Sequence, residues 1–225
     1  MKEFSIIEWF EKNLPDRRVI LKKGGILFHQ GDSSEYLYLV RQGCIVMIKE
    51  SPFGNPFITE RLLVNEFLGS FAIMGEFPYP TTAQAESPSV VEGFYGDKVR
   101  TALLSDDSFR RSFFREVGMR IQEFQSRLMI SPERVKIRLA RVILSLCKKN
   151  LNMELSFMDK NPVSLDVTRQ SLSLMAGTSV ETAIRLTRLW EKEGVLDLSK
   201  RGRVQVLSLD YFMNLTYEKW KIEKE

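Results

Sequence analysis

The stretch from Asp166 to Leu186, DVTRQSLSLMAGTSVETAIRL, constrains this chain more than any other. Thr168 can cap a first helix with Leu172 and Ala176 facing inward, and Gly177 lets the backbone turn. Thr178 or Ser179 then caps a second helix with Ala183 and Leu186 inward. Ser173 and Ala183 are small where two helices must approach closely. Two short capped helices joined by a glycine turn at this spacing form a helix-turn-helix.

On the second helix, Glu181, Ile184, Arg185 and Arg188 recur at spacings of three and four and share a face opposite Ala183 and Leu186. Arg185 can donate two hydrogen bonds to guanine, Glu181 can accept from a cytosine amino group, and Val180 and Ile184 offer apolar contact to thymine methyls. The plainer alternative is a surface ion pair between Glu181 and Arg185. Further on, Gly194–Leu198 and Val204–Leu207 flank Ser199-Lys200-Arg201-Gly202-Arg203, two strands with a basic tip. Such a wing would set Lys200, Arg201 and Arg203 against phosphates, giving affinity without sequence choice. Charge follows the same division: residues 1–131 carry 16 basic against 17 acidic side chains, and residues 132–225 carry 17 against 12.

Between Val19 and Phe94 short apolar runs alternate with turn residues, as in Tyr36-Leu37-Tyr38-Leu39-Val40 followed by Gln42-Gly43. This spacing predicts a small antiparallel barrel or roll. Gly75 to Pro80 reads as an irregular loop. After Gly96 the period lengthens toward 3.6, and a long helix starts near Asp106. Its stripe of Val117, Ile121, Phe124 and Leu128 suits either a seam between two copies or packing on the roll; the solvated polar residues around it favour the seam. Ser131-Pro132-Glu133 reads as the start of the next helix, which carries Val135, Leu139, Val142, Ile143 and Leu146 on one side. The expected organisation is α+β: a β-roll over 1–104, a dimerisation helix over 105–131 and a winged helix-turn-helix over 132–225.

Gly25–Asp32 and Tyr36–Gly43 resemble the opening strands and glycine turns of the cyclic-nucleotide-binding-type roll of the Crp/Fnr family of bacterial regulators. Thr168-Arg169-Gln170 and Val180-Glu181-Thr182-Ala183-Ile184-Arg185 resemble its DNA-binding signature. The resemblance implies a homodimer on a near-palindromic duplex site, touching RNA polymerase if it activates. The DNA-contacting set becomes Thr168, Arg169, Gln170, Ser179, Val180, Glu181, Thr182, Ile184, Arg185 and Arg188, with Lys200, Arg201 and Arg203 on the wing. Within the family, Val rather than Arg before the reading Glu marks the Fnr branch, so Val180 implies a TTGA-type half-site rather than TGTGA. Ile184 stands where that branch usually carries Ser, which leaves one base of the core open.

The family's cyclic-nucleotide members place Glu after a Gly and end their phosphate cassette on Arg-Ser/Thr-Ala. Here Gly69 is followed by Ser70, and Thr81 replaces the Arg ahead of Thr82-Ala83. Without that cation a buried phosphodiester is left uncompensated, so cyclic AMP is not expected in the usual mode. Gly69, Ser70, Thr81 and Thr82 nonetheless outline a pocket for an unidentified small-molecule effector. Two cysteines, Cys44 and Cys147, fall short of the four ligands of an iron–sulfur oxygen sensor, and the single histidine, His29, sits in a turn of the roll. No cofactor is expected. One histidine argues against a metal-dependent enzyme built on a similar roll, and no nucleophile elbow, Walker loop or dinucleotide fingerprint occurs, so the chain is read as no enzyme. The competing class is a ligand- or partner-binding module without specific DNA binding. A charged N-terminus and the lack of any apolar run near ~20 residues predict a soluble, cytoplasmic protein without membrane contact.

Overall fold

The computed structural model describes residues 6–50, 56–128, 135–151, 162–200 and 202–222, with the side chains of 123–128, 151 and 217–222 left aside. The expected helix start at Ser131-Pro132-Glu133, the seam side chains Phe124 and Leu128, and the wing residue Arg201 lie outside the described residues or side chains. The chain divides into two compact units, Met1–Arg127 and Leu128–Glu225.

The first unit is built on two four-stranded antiparallel sheets. One runs in the order β1 (Arg17–Leu21), β8 (Ser89–Tyr95), β3 (Tyr36–Gln42), β6 (Phe67–Leu68); the other in the order β2 (Ile26–Phe28), β7 (Thr82–Ala85), β4 (Ile45–Glu50), β5 (Pro56–Leu62). The uninterrupted apolar run in β3 follows from burial on both faces. Tyr38 and Val40 point into the core between the sheets with Phe28, Ile45, Leu62 and Val91, and Leu37 and Leu39 point outward into a second, aromatic core. In that second core, Trp9, Phe10, Phe94, Phe109 and Phe113 pack together, with Trp9 stacked on Phe109 at 4.5 Å between ring centroids.

Its cover comes from helices: α1 (Ile6–Lys12), α2 (Ser70–Gly75), α3 (Gly96–Ser105) and the first turns of α4 (Asp107–Leu128). Neither α1 nor α2 was expected from the sequence; with seven and six residues, they are too short to show a clear 3.6-residue period. The long helix appears where the sequence placed it, but Phe109, Phe113 and Val117 dock on the roll. Val117 is 5% exposed in this core, which corrects its assignment to an outward seam.

The second unit begins with α5 (Val135–Leu151), which packs on β9 (Val163–Leu165), on α6 (Arg169–Met175) and on α8 (Leu209–Ile222). After α7 (Val180–Lys192), strands β10 (Leu196–Asp197) and β11 (Val204–Val206) join β9 in an antiparallel sheet of order β10-β11-β9. Leu139, Ile143 and Leu146 of α5 are buried, as their spacing predicts. Cys147 is buried beside them, and burial pushes its thiol up to about 12, so it behaves as a small apolar residue.

The turn from β3 to β4 requires glycine. Gly43 has φ +83°, and a Cβ there would lie 2.3 Å from the Pro88 carbonyl oxygen. Gly43→Ala is therefore expected to lower stability by at least about 2 kcal/mol, combining left-handed strain with a backbone clash. Urea denaturation of the two proteins measures it.

Candidate nucleic-acid interface

The helix-turn-helix forms through its own short-range hydrogen bonds. Thr168 Oγ1 accepts from the Ser171 N–H at 3.0 Å and starts α6, and Ser179 Oγ accepts from the Thr182 N–H at 3.2 Å and starts α7. Of the two caps open for the second helix, the structure uses Ser179. Between the helices Gly177 takes φ +59°, and the fully buried Ser173 and Ala183 belong to the closely packed α6 and α7. Leu172, Ala176 and Leu186 are buried as expected, and Trp190 at the far end of α7 meets Phe212 of α8 edge to face at 5.0 Å.

A contact not read from the sequence grips the turn. Arg138 of α5 donates through Nε to the Ala176 carbonyl at 2.9 Å and through Nη2 to the Gly177 carbonyl at 3.1 Å. These are carbonyls at the end of α6, where a cation also meets the negative end of the helix dipole. The residues lie 38 and 39 positions apart, so no local pattern marks them.

On α7, Val180, Glu181, Arg185 and Arg188 are exposed, and Thr182 and Ile184 are partly so. Glu181 and Arg185 do not pair with one another; each is free of protein hydrogen bonds and ion pairs among the described residues. Gln170 is exposed and Arg169 half-buried at the start of α6. On the wing, Lys200 is exposed. Arg203 departs from expectation: its Nε lies 2.7 Å from Asp166 Oδ1, tying β11 to the segment leading into α6. At the base of the wing, the Ser199 N–H donates to Asp197 at 2.8 Å and holds that carboxyl below its usual range.

In the first unit, Gly69, Ser70 and Thr81 line one cavity of about 430 Å³, within the size range of small-molecule sites. Thr82 does not join them: its Oγ1 accepts from the Gln30 N–H at 3.0 Å, which corrects its place in the pocket. Arg120 and Ile121 of α4 form part of the wall. The outward face of α4 carries Phe114, 53% exposed, and Ile121, 43% exposed, with Gly118 between them. His29 is exposed in its turn, Cys44 is buried with its thiol 3.4 Å from Glu86, and no cluster of metal-ligating side chains occurs among the described residues.

Two sequence families match this arrangement unit by unit: the cyclic nucleotide-binding domain over residues 18–106 and the Crp-like helix-turn-helix domain over residues 137–215. The chain belongs to the Crp/Fnr family. It is 28% identical over 190 residues to the fumarate and nitrate reduction regulatory protein of Salmonella typhi, covering 82% of this chain and 72% of that protein. To the transcriptional activator protein FnrA of Stutzerimonas stutzeri it is 28% identical over 179 residues, with 79% and 71% covered. FixK2 from Bradyrhizobium japonicum has the same fold, with a TM-score of 0.75 at 15% identity over 88% of this chain and 96% of that one. The Crp/Fnr chain is thus a DNA-binding transcription regulator, a class distinct from enzymes. No described helix is long and apolar enough to cross a membrane.

If the grip of Arg138 sets the turn of this Crp/Fnr helix-turn-helix, Arg138→Met should cost about 1–2 kcal/mol in urea denaturation. Specific DNA binding should fall further than the lost folded fraction explains. Fluorescence anisotropy on folded protein separates the two effects.

Proposed function

We propose that the chain is a homodimeric regulator that reads a near-palindromic, TTGA-type site by laying one α7 from each copy in successive major grooves, roughly one helical turn apart. The observation that carries this reading is the state of the α7 face. Glu181 and Arg185 stand one helical turn apart, exposed and without protein partners among the described residues. Their hydrogen-bonding capacity is available to base edges, Arg185 to guanine and Glu181 to cytosine, with Val180 and Ile184 beside thymine methyls. Arg188 extends the same face. Thr168, Arg169, Gln170, Ser179 and Thr182 flank it at the helix starts, where backbone phosphates pass. Lys200 is the wing's phosphate contact, joined by Arg201. Arg203 contributes only by sharing or leaving Asp166.

The dimer seam in this reading uses the outward stripe of α4. Phe114, Gly118 and Ile121 recur at spacings of four and three, and Gly118 has open space beside it, which suits close approach of a second helix. Phe124 and Leu128 continue the helix; Val117 is spent on the roll. The cavity beneath α4 takes a small-molecule effector. The regulator works in the cytoplasm and contacts RNA polymerase where it activates.

Selection from a random duplex pool is expected to return paired TTGA-type half-sites. Return of TGTGA half-sites would refute the branch assignment, and no preference at moderate ionic strength, with effectors present or absent, would sink the DNA reading. Arg185→Ala should cost about 1–3 kcal/mol and relax preference at one base pair, whereas Lys200→Ala should weaken all duplexes alike and reduce the salt slope by about 1. Phe114→Glu should shift the protein toward monomer in sedimentation velocity, because a charge in an apolar seam is left unpaired.

A further inference from the structure

The cavity of the roll carries a more specific message than its size. Most of its wall is apolar: Met47, Leu68, Ala72, Pro80 and the Tyr79 ring lie along it. The Tyr79 hydroxyl is spoken for, donating to the Tyr36 carbonyl at 2.6 Å, so this ring offers the cavity a flat apolar surface. Two hydroxyls interrupt the apolar wall. Ser70, 1% exposed, and Thr81, 9% exposed, both line the cavity, and neither side chain has a hydrogen-bond partner among the described residues. Both hydroxyls can therefore donate to a ligand's polar group.

The charges around the cavity are Arg120, Glu60 and Lys49. Arg120 is already held: its Nε lies 3.6 Å from Glu60, Nη1 donates to the Phe67 carbonyl at 2.5 Å, and the guanidinium lies over the Phe67 ring. Glu60 and Arg120 thereby offset one another. Lys49 differs. Its ammonium donates to the Pro80 carbonyl at 3.4 Å, next to Thr81 in the chain, and no carboxylate pairs with it among the described residues. The cavity therefore presents an apolar body, two free hydroxyls and one uncompensated positive charge beside Thr81.

We propose that this cavity binds a compact apolar monocarboxylate, its hydrocarbon or aromatic part against the Leu68, Ala72 and Tyr79 wall and its carboxylate between the Lys49 ammonium and the Thr81 and Ser70 hydroxyls. The inference rests on the reading of the cavity as an effector site and names the chemistry of the effector. A carboxylate suits the set because one cation balances it and two hydroxyls donate to its remaining lone pairs. A cyclic nucleotide suits it poorly. Its ribose and base edges bring polar groups that the apolar wall leaves unpaired, and Glu60, the one acid among the described residues lining the cavity, is engaged by Arg120.

The test is calorimetric titration of the whole chain, without DNA, using naphthalene-2-carboxylate and octanoate, each beside its primary amide, and cyclic AMP. At least one carboxylate is expected to bind roughly tenfold or more tightly than its amide. Lys49→Met should erase that preference by weakening the acid far more than the amide, with the melting temperature showing that the protein still folds, and Lys49→Arg should retain it. Thr81→Val should weaken the carboxylate more than the amide. The proposal is overturned if neither carboxylate binds, if amide and acid bind alike, if Lys49→Met keeps the preference, or if cyclic AMP binds more tightly than both acids. Site selection on the same protein reports the DNA reading separately, so either can fail while the other stands.

Discussion

The direction in which α7 leaves its unit depends on one close approach, that of α6 to α7 through the buried pair Ser173 and Ala183. A larger side chain at either position would separate the helices, because interiors are packed too densely to absorb added methylenes without displacement. Arg138 fixes the same relation from a third helix by holding two successive carbonyls of the turn, and Trp190 against Phe212 anchors the far end of α7 on α8. With contacts at both ends, the backbone beneath Glu181 and Arg185 is held against α5 and α8.

The first unit solves a different problem. A sheet whose strands alternate apolar and polar residues can be wetted on one side, but β3 is apolar on both, so each face needs a cover. The second sheet covers one face, and α1 to α4 cover the other through Trp9, Ile73, Val99, Phe109 and Phe113. The short helix α2 serves both covers, since Ala72 faces the core between the sheets and Ile73 the aromatic one. It also carries Ser70 to the wall of the cavity. Packing thus determines where the cavity's free hydroxyls stand.

What was legible in the sequence was whatever is written within one helical turn. The caps at Thr168 and Ser179, the turn at Gly177 and the inward positions Leu172, Ala183 and Leu186 each depend on neighbours three or four residues away, and the structure has all of them. The strands of the roll were visible for the same reason. What stayed hidden depends on distance along the chain. Arg138 meets a turn 38 residues on, and Arg203 meets Asp166 across 37. The stripe from Val117 to Leu128 starts where two faces of α4 meet: Phe109, Phe113 and Val117 follow a four-residue spacing onto the roll, while Phe114, Gly118 and Ile121 face outward. A periodic pattern marks a buried stripe without saying which partner buries it. Thr81 and Thr82 are also told apart only by the fold: Thr82 opens β7 with its Oγ1 bonded to the Gln30 N–H, and Thr81, one residue ahead of the strand, lines the cavity.

The pairing pattern of the basic residues in the second unit divides their work. An exposed ion pair contributes little to stability in water, so leaving Glu181 and Arg185 unpaired costs the folded chain almost nothing and keeps both side chains ready to exchange water for a base edge. Arg203 is in the opposite situation. Its bond to Asp166 neutralises one of the wing's charges and ties β11 to the residues ahead of α6, so the wing keeps its register with the helix-turn-helix. Any phosphate reaching Arg203 must compete with a carboxylate already 2.7 Å away, whereas Lys200 carries no such competitor among the described residues. Within one hairpin, then, one cation is committed to holding β11 against the segment ahead of α6, and another is left exposed.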